Sequence, residues 1–146
     1  MRIVVIAGPP CAGKTTLAWQ VAGPDDVVLD FDDIARGMGS PVQWLHPEPY
    51  RTQGELVLQQ AIAEAHAAQG SGTAWVLRTA PRPSSRASLA ELWGADVYVL
   101  DPSEAECRRR ARGRPTGTGS AISSWYHRYR PRRGDLDAVD LVHSHA

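Results

Sequence analysis

Lysine is almost missing from this chain: among 146 residues there is one, Lys14, beside 15 arginines. A chain that uses arginine for every other positive charge and keeps its single ammonium inside a glycine-rich loop marks that position as chemically demanding. Cysteine is scarce as well. Cys11 and Cys107 show no framework spacing, which argues against a disulfide-built secreted domain and suggests no metal site. No stretch of about 18 consecutive apolar residues occurs, so a membrane-spanning helix is excluded. The apolar run that opens the chain is too short for a signal peptide, and a cytoplasmic protein is expected. Net charge is absent too, with 16 basic against 16 acidic residues.

What is present is more informative. The length suits one ordinary domain, expected over 1–146, and an apolar share of 42% describes a globular chain. Charge is local rather than global. From Glu104 to Arg133 nine arginines stand against two acids, so one part of the surface should attract anions.

Hydrophobic patterning alternates strand and helix. Ile3–Ala7 reads as a buried strand, and helical spacing follows from Gly13 to Ala22. Val27–Leu29 is a second strand that ends in Asp30-Phe31-Asp32-Asp33. Gly37 to Pro49 reads as a substrate-side loop with a short helical piece. A long helix is expected from about Tyr50 to Gln69 with Gly70 as its stop, then strands at Thr73–Leu77 and Asp96–Asp101 around a helix at Ser84–Trp93. Ser103 and Glu106 form a capping box for an arginine-rich helix. A Gly/Thr/Pro loop at Gly113–Ser120, a helix at Ala121–Arg130 and an edge strand at Val139–His143 complete the reading. Such alternation implies an α/β fold, a parallel sheet of four to five strands with helices on both faces.

One motif carries the chemistry. Gly8-Pro9-Pro10-Cys11-Ala12-Gly13-Lys14-Thr15 has the spacing G-x-x-x-x-G-K-[ST] and lies between a predicted strand and a predicted helix. Backbone amides of such a loop, continued by Thr16, wrap a phosphate chain, and the helix N-terminus adds partial positive charge. Lys14 would reach the β- and γ-phosphates, and the Thr15 hydroxyl would bind magnesium, so ATP and Mg²⁺ are the expected cofactors.

The acidic cluster places Asp30 and Asp32 on one side of an extended segment, with Asp33 as the cap of a helical turn. The plainer reading is that all three only cap and solvate that turn. Arg36 either holds a substrate phosphate or pairs with the cluster. In the run from Cys107 to Arg114, Arg108 and Arg112 share a helix face toward the nucleotide; the plainer reading is a solvated face or a nucleic-acid patch. Arg128, Arg130, Arg132 and Arg133, interleaved with Trp125, Tyr126 and Tyr129, suit a surface that stacks bases. An amphipathic helix with a buried aromatic side fits equally well.

This order of a P-loop, a D-x-D-D cluster after the second strand and an arginine-rich helix after the fourth resembles the small P-loop kinases of the nucleoside, gluconate and polynucleotide kinase type. It is similar, too, to actinobacterial and phage kinases, some related to those that phosphorylate 5-hydroxymethyluracil in DNA. The resemblance implies a P-loop NTPase fold, an arginine lid over about 104–120, Asp32 as the base that accepts the proton of the attacking hydroxyl, and Arg108 and Arg112 as lid arginines on the phosphates. It also implies transfer of the γ-phosphate of ATP to a hydroxyl.

The chain departs from the wider P-loop pattern where the strand Thr73–Leu77 runs into Arg78-Thr79 rather than an acid. Asp30 is then the candidate to support magnesium beside Thr15, and Arg78, at a strand's C-terminal end, is a candidate for gripping the acceptor. Trp125 and Arg128 tilt the expected acceptor toward DNA or a nucleotide, whether a 5′-hydroxyl or a hydroxymethylated base. A nucleoside or sugar acid is the alternative. An ATPase that reads Val97–Asp101 as its acidic strand, or an inactive nucleotide-binding module, are the competing classes.

Overall fold

The computed structural model describes residues 1–68 and 71–144. At its centre is strand β1 (Arg2–Ala7), buried from Ile3 onward. Helix α1 (Lys14–Val21), β2 (Val27–Asp30), α2 (Phe31–Gly37) and α3 (Tyr50–Ala68) follow. Then come β3 (Thr73–Arg78), α4 (Pro83–Trp93), β4 (Asp96–Val99), α5 (Glu104–Arg110), α6 (Thr118–Arg128), β5 (Leu136–Asp137) and α7 (Val139–Ser144).

The strands form one parallel sheet in the order β2-β3-β1-β4-β5, which is the expected α/β architecture. Alternate side chains sort to opposite faces, as the two-residue period of a strand requires. Val4, Ile6, Trp75 and Leu77 pack with Leu17, Ala18 and Val21 of α1 and Leu141 of α7. Ile3, Val5, Ala74, Val76 and Val97 pack with Leu58 and Ile62 of α3 and with Leu89, Ala90 and Trp93 of α4. Helices therefore cover both faces. Among the described residues no helix is long and apolar enough to cross a membrane.

Several elements differ from the sequence expectation. Val139–Ser144 is a helix rather than an edge strand, because Asp137 Oδ1 accepts from the Val139 amide at 3.0 Å. Ala138, Leu141 and Val142 then meet the core at helical spacing. The edge strand is instead the two-residue β5. The acidic cluster is not extended beyond Asp30: it is the first turn of α2, and Asp30, not Asp33, is the cap, accepting from the Asp32 amide at 2.9 Å. No helical piece lies within 40–49. Helix α6 starts at Thr118, inside the expected loop, and the expected helix stop at Gly70 lies outside the described residues.

Candidate active site

All five strands point their C-terminal ends one way, and the loops beyond those ends make the site, as in other open parallel sheets. The loop from Gly8 to Gly13 joins β1 to α1. Gly8 is held there by space, since a Cβ would come within 2.3 Å of the Leu100 carbonyl oxygen. Gly13 caps α1 with φ 94°, in the left-handed region that glycine adopts without strain. No side chain caps the helix, so the amides of its first turn are left for an incoming acceptor. Lys14 folds back over the loop, its Nζ donating to the carbonyls of Gly8 and Pro9 at 2.8 Å each. Burial pushes this ammonium down to about 8, while the carboxylates of Asp32 and Asp30 pull it back up. An arriving phosphate would offset that penalty with negative charge.

A recess of about 130 Å³ lies against this loop, and Lys14, Thr15, Asp30, Asp32, Trp44 and Arg114 all line it. Asp30 is pushed up by its own burial and then by Asp33 and Asp32. Thr15 and Asp30 together give a hydroxyl and a carboxylate, the hard oxygen donors that magnesium takes beside phosphate oxygens. No cluster of three or more His, Cys, Asp or Glu able to hold a metal occurs among the described residues. Magnesium is ordinarily bound by one or two carboxylates plus substrate phosphates, so a fuller cage is not required.

A cleft of about 540 Å³ shares Gly13, Thr16 and Arg114 with the recess and is lined further by Gln20, Val139, Val142 and His143. Arg110 closes one side. Its Nη1 donates to the carbonyls of Ala12 at 2.9 Å and Cys11 at 3.4 Å, and its Nε is held by Glu106 at 2.9 Å. The arginines that reach the phosphate loop are thus Arg110 and Arg114, not Arg108 and Arg112. Helix α5 ends at Arg110 and the chain turns, so the expected four-residue face from Arg108 to Arg112 is broken. Arg108 points the other way, bonding Ser123 and lying 3.7 Å from Glu104, and Arg112 is exposed on the turn.

On the opposite side is a basic cleft of about 660 Å³, walled by Arg51, Arg78, Arg82 and Arg128. A small apolar pocket lined by Pro10, Trp44, Leu45 and Trp125 shares Thr79, Pro81 and Arg128 with this cleft. Arg78 is not a free cation. Its two Nη atoms are bound by the carboxylate of Glu55, and its guanidinium lies 4.4 Å from the centre of the Phe31 ring. Arg36 is likewise engaged, by Asp33 and by Gln43 at 3.1 Å. Trp125 is buried, stacks on Tyr129 at 4.6 Å and donates to the Thr79 carbonyl at 2.7 Å. The aromatic face of α6 therefore belongs to the core, and Trp125 has no free ring for a base.

The bend at 79–81 that walls this cleft is fixed from behind. Arg86, fully buried, donates to the carbonyls of Ala80 and Pro81 and pairs with Asp135 at 3.0 Å. Asp135 is in turn bound by Arg132. Sequence reasoning had no role for Arg86, His46, Glu55 or Arg110. Only Arg110 left a signal, since Glu106 stands four residues before it.

A family comparison decides what kind of chain builds this arrangement: residues 3–124 match the AAA domain family AAA_33. The chain belongs to that family. Its fold is shared with P-loop kinases. One solved similar structure, a Pnkp1/Rnl/Hen1 RNA repair complex, aligns with TM-score 0.71 at 17% identity and covers 87% of this chain, which spans only 43% of that one. A gluconokinase from Sinorhizobium meliloti aligns at TM-score 0.66 and 15% identity, covering 97% of this chain and 87% of its own. A sugar kinase from a Janibacter species aligns at TM-score 0.66 and 22% identity, covering 99% and 91%. The sequence matches no curated protein at a significant level. At these identities the likeness is one of fold alone.

Proposed function

We propose that the chain is a single-domain, ATP-dependent phosphotransferase that moves the γ-phosphate to a hydroxyl of an anionic acceptor, with a nucleotide or a nucleic-acid end as the first candidate. The observation that carries this reading is that Lys14, Thr15, Asp30 and Asp32 line one recess, with a clasping arginine on one side and an arginine-walled cleft on the other. The loop amides and Lys14 hold the β- and γ-phosphates, and Thr15 with Asp30 would hold magnesium, which supplies charge neutralisation when bound. Arg114 lines the same recess, where a planar guanidinium would meet charge on the transferring group, and Arg110 clasps the loop beside it.

Asp32 takes the proton. As the acceptor oxygen bonds to the γ-phosphorus, the bond from that phosphorus to the β–γ bridging oxygen breaks, the acceptor's O–H proton passes to the Asp32 carboxylate, and ADP leaves. Arg82 and Arg128 favour an acceptor that carries phosphate or carboxylate.

A small acid metabolite is the second reading, supported by the burial of Trp125, which removes the base-stacking surface, and by the full-length likeness to gluconokinase and sugar kinase folds. The ATPase alternative loses ground because Asp101 is exposed and lines neither nucleotide cavity. Incubation with ATP labelled in the γ-phosphate and a panel of DNA ends, hydroxymethyluracil DNA, nucleotides, nucleosides and sugar acids tests the proposal. Label should pass to an anionic acceptor. Rapid release of free phosphate with no dependence on any acceptor would sink it.

A further inference from the structure

The loop between α2 and α3 carries a histidine that the proposed chemistry leaves without a role. His46 is 5% exposed, and its ring nitrogens are both engaged. Nε2 lies 2.8 Å from Asp32 Oδ1 and Nδ1 lies 2.7 Å from Ser40 Oγ. An ionised carboxylate only accepts, so Nε2 carries the hydrogen and donates. The ring stands edge-on to Phe31, with centroids 6.0 Å apart. Phe31 packs closely against α3, where a Cβ on Gly54 would meet its ring at 3.0 Å. Leu45, just before the histidine, takes φ 53°, a conformation that costs a non-glycine residue energy and persists only where the surroundings impose it. Both backbone and packing therefore fix where this imidazole stands.

We propose that His46 is the positioning residue of the transfer site: by binding Oδ1 it locks the rotation of the Asp32 carboxylate and leaves Oδ2 to face the attacking hydroxyl, with Ser40 holding the imidazole from behind. The inference rests on the reading of Asp32 as proton acceptor. Among the described residues, His46 is the side chain that bonds the Asp32 carboxylate. The Asp32 side chain is 14% exposed and lines the recess beside Lys14 and Thr15. The His46 side chain, at 2% exposed, lies behind it. A carboxylate held through one oxygen is kept in register for proton transfer, and misplacement of a reacting group by about 1 Å costs on the order of 10²-fold in rate.

The test combines turnover with a measurement that needs no turnover. Conversion of ATP to ADP is followed, with water or with whichever hydroxyl supports it, for the parent, His46→Ala, His46→Gln, Asp32→Asn and His46→Ala/Asp32→Asn. In parallel, nitrogen-resolved NMR observes the Nε2–H of His46 in the parent and in Asp32→Asn. His46→Ala should lower kcat on the order of 10²-fold with KM for ATP unchanged. His46→Gln, whose amide places a donor near the same point, should recover most of that loss, and His46→Ala should add nothing once Asp32 is already Asn. The ring N–H should be protected from exchange in the parent and exchange faster in Asp32→Asn, whose neutral amide oxygen is a weaker acceptor than the carboxylate.

The inference is overturned if the losses in kcat add, if His46→Gln is as poor as His46→Ala, or if the ring N–H is unprotected. The reading beneath it fails differently. In that case Asp32→Asn turns over at the parent rate while the protected N–H is still observed.

Discussion

Six consecutive residues, Cys11 to Thr16, line the recess on the nucleotide side, whereas the acceptor side draws Arg51, the stretch from Arg78 to Arg82, and Arg128 from three separate segments. The first wall is mainly backbone. Its shape follows from glycine at a left-handed position and from a helix whose opening amides have no side-chain cap. The second wall is made of side chains, and its charge depends on which of them are already paired. Arg78 is compensated by Glu55, while the exposed Arg82 and Arg128 leave charge for a ligand. A backbone-built site announces itself in the sequence; a site of paired side chains does not.

The largest effect should come from the one lysine. Lys14→Ala removes the only lysine in the chain from a position where its two carbonyl bonds aim it across the loop. Loss of ATP turnover beyond detection is expected, read as ADP formation, with the melting temperature nearly unchanged because the side chain supports no core. If Lys14→Ala turned over normally, the nucleotide side would not be where the loop places it. Asp32→Asn is next. It should keep ATP affinity, measured by calorimetry, and lose on the order of 10³-fold in transfer, the usual scale for a positioned base.

Third is a comparison of two arginines. Arg110→Ala should lower kcat on the order of 10²-fold, the scale for removing one donor to developing charge, because its guanidinium already sits on the loop carbonyls. Arg112→Ala should do little. Equal losses would mean that the turn after α5 rearranges when nucleotide binds. On the acceptor side, Arg128→Ala should raise the acceptor KM about 10-fold with kcat retained, the worth of one charge-assisted hydrogen bond. A loss confined to kcat would take Arg128 out of acceptor binding.

How much of this was legible in the sequence follows the same division. The strand–loop–helix at Gly8 to Thr16 could be read because local periodicity and one motif dictate it. The Ser103–Glu106 cap could be read for the same reason, and its bond is present at 3.1 Å. The α/β sheet followed from alternating patterns. What failed were features decided at a distance. Trp125 looked like a base-stacking ring because helical spacing cannot say which face of α6 meets Thr79, 46 residues earlier. Val139–His143 looked like a strand because β-branched residues bias short apolar runs, and the pull of Asp137 on the Val139 amide overrode that bias. Arg108 and Arg112 were paired by a rule for continuous helices, and the helix stops at Arg110. His46 and Glu55 gave no signal, since their partners lie 14 and 23 residues away.

The smallest effect separates the two cysteines, and it sharpens the contrast between the two walls. Cys11 lies half-buried on the phosphate loop and lines both nucleotide cavities, whereas Cys107 is fully buried in α5 with its sulfur 3.6 Å from the Tyr126 hydroxyl. Burial pushes the Cys107 thiol up, so it is held in the protonated form at neutral pH, and only a thiolate attacks an alkylating reagent. Labelling should therefore occur at the accessible Cys11, with Cys107 following only on unfolding. Mass spectrometry after a short exposure to iodoacetamide should find one modified thiol, and ATP should slow that modification by covering the loop. An acceptor analogue alone should leave the rate unchanged, because the basic cleft shares no residue with Cys11's surroundings. Equal labelling of both thiols in the folded protein would show that α5 opens to the reagent as readily as the phosphate loop does.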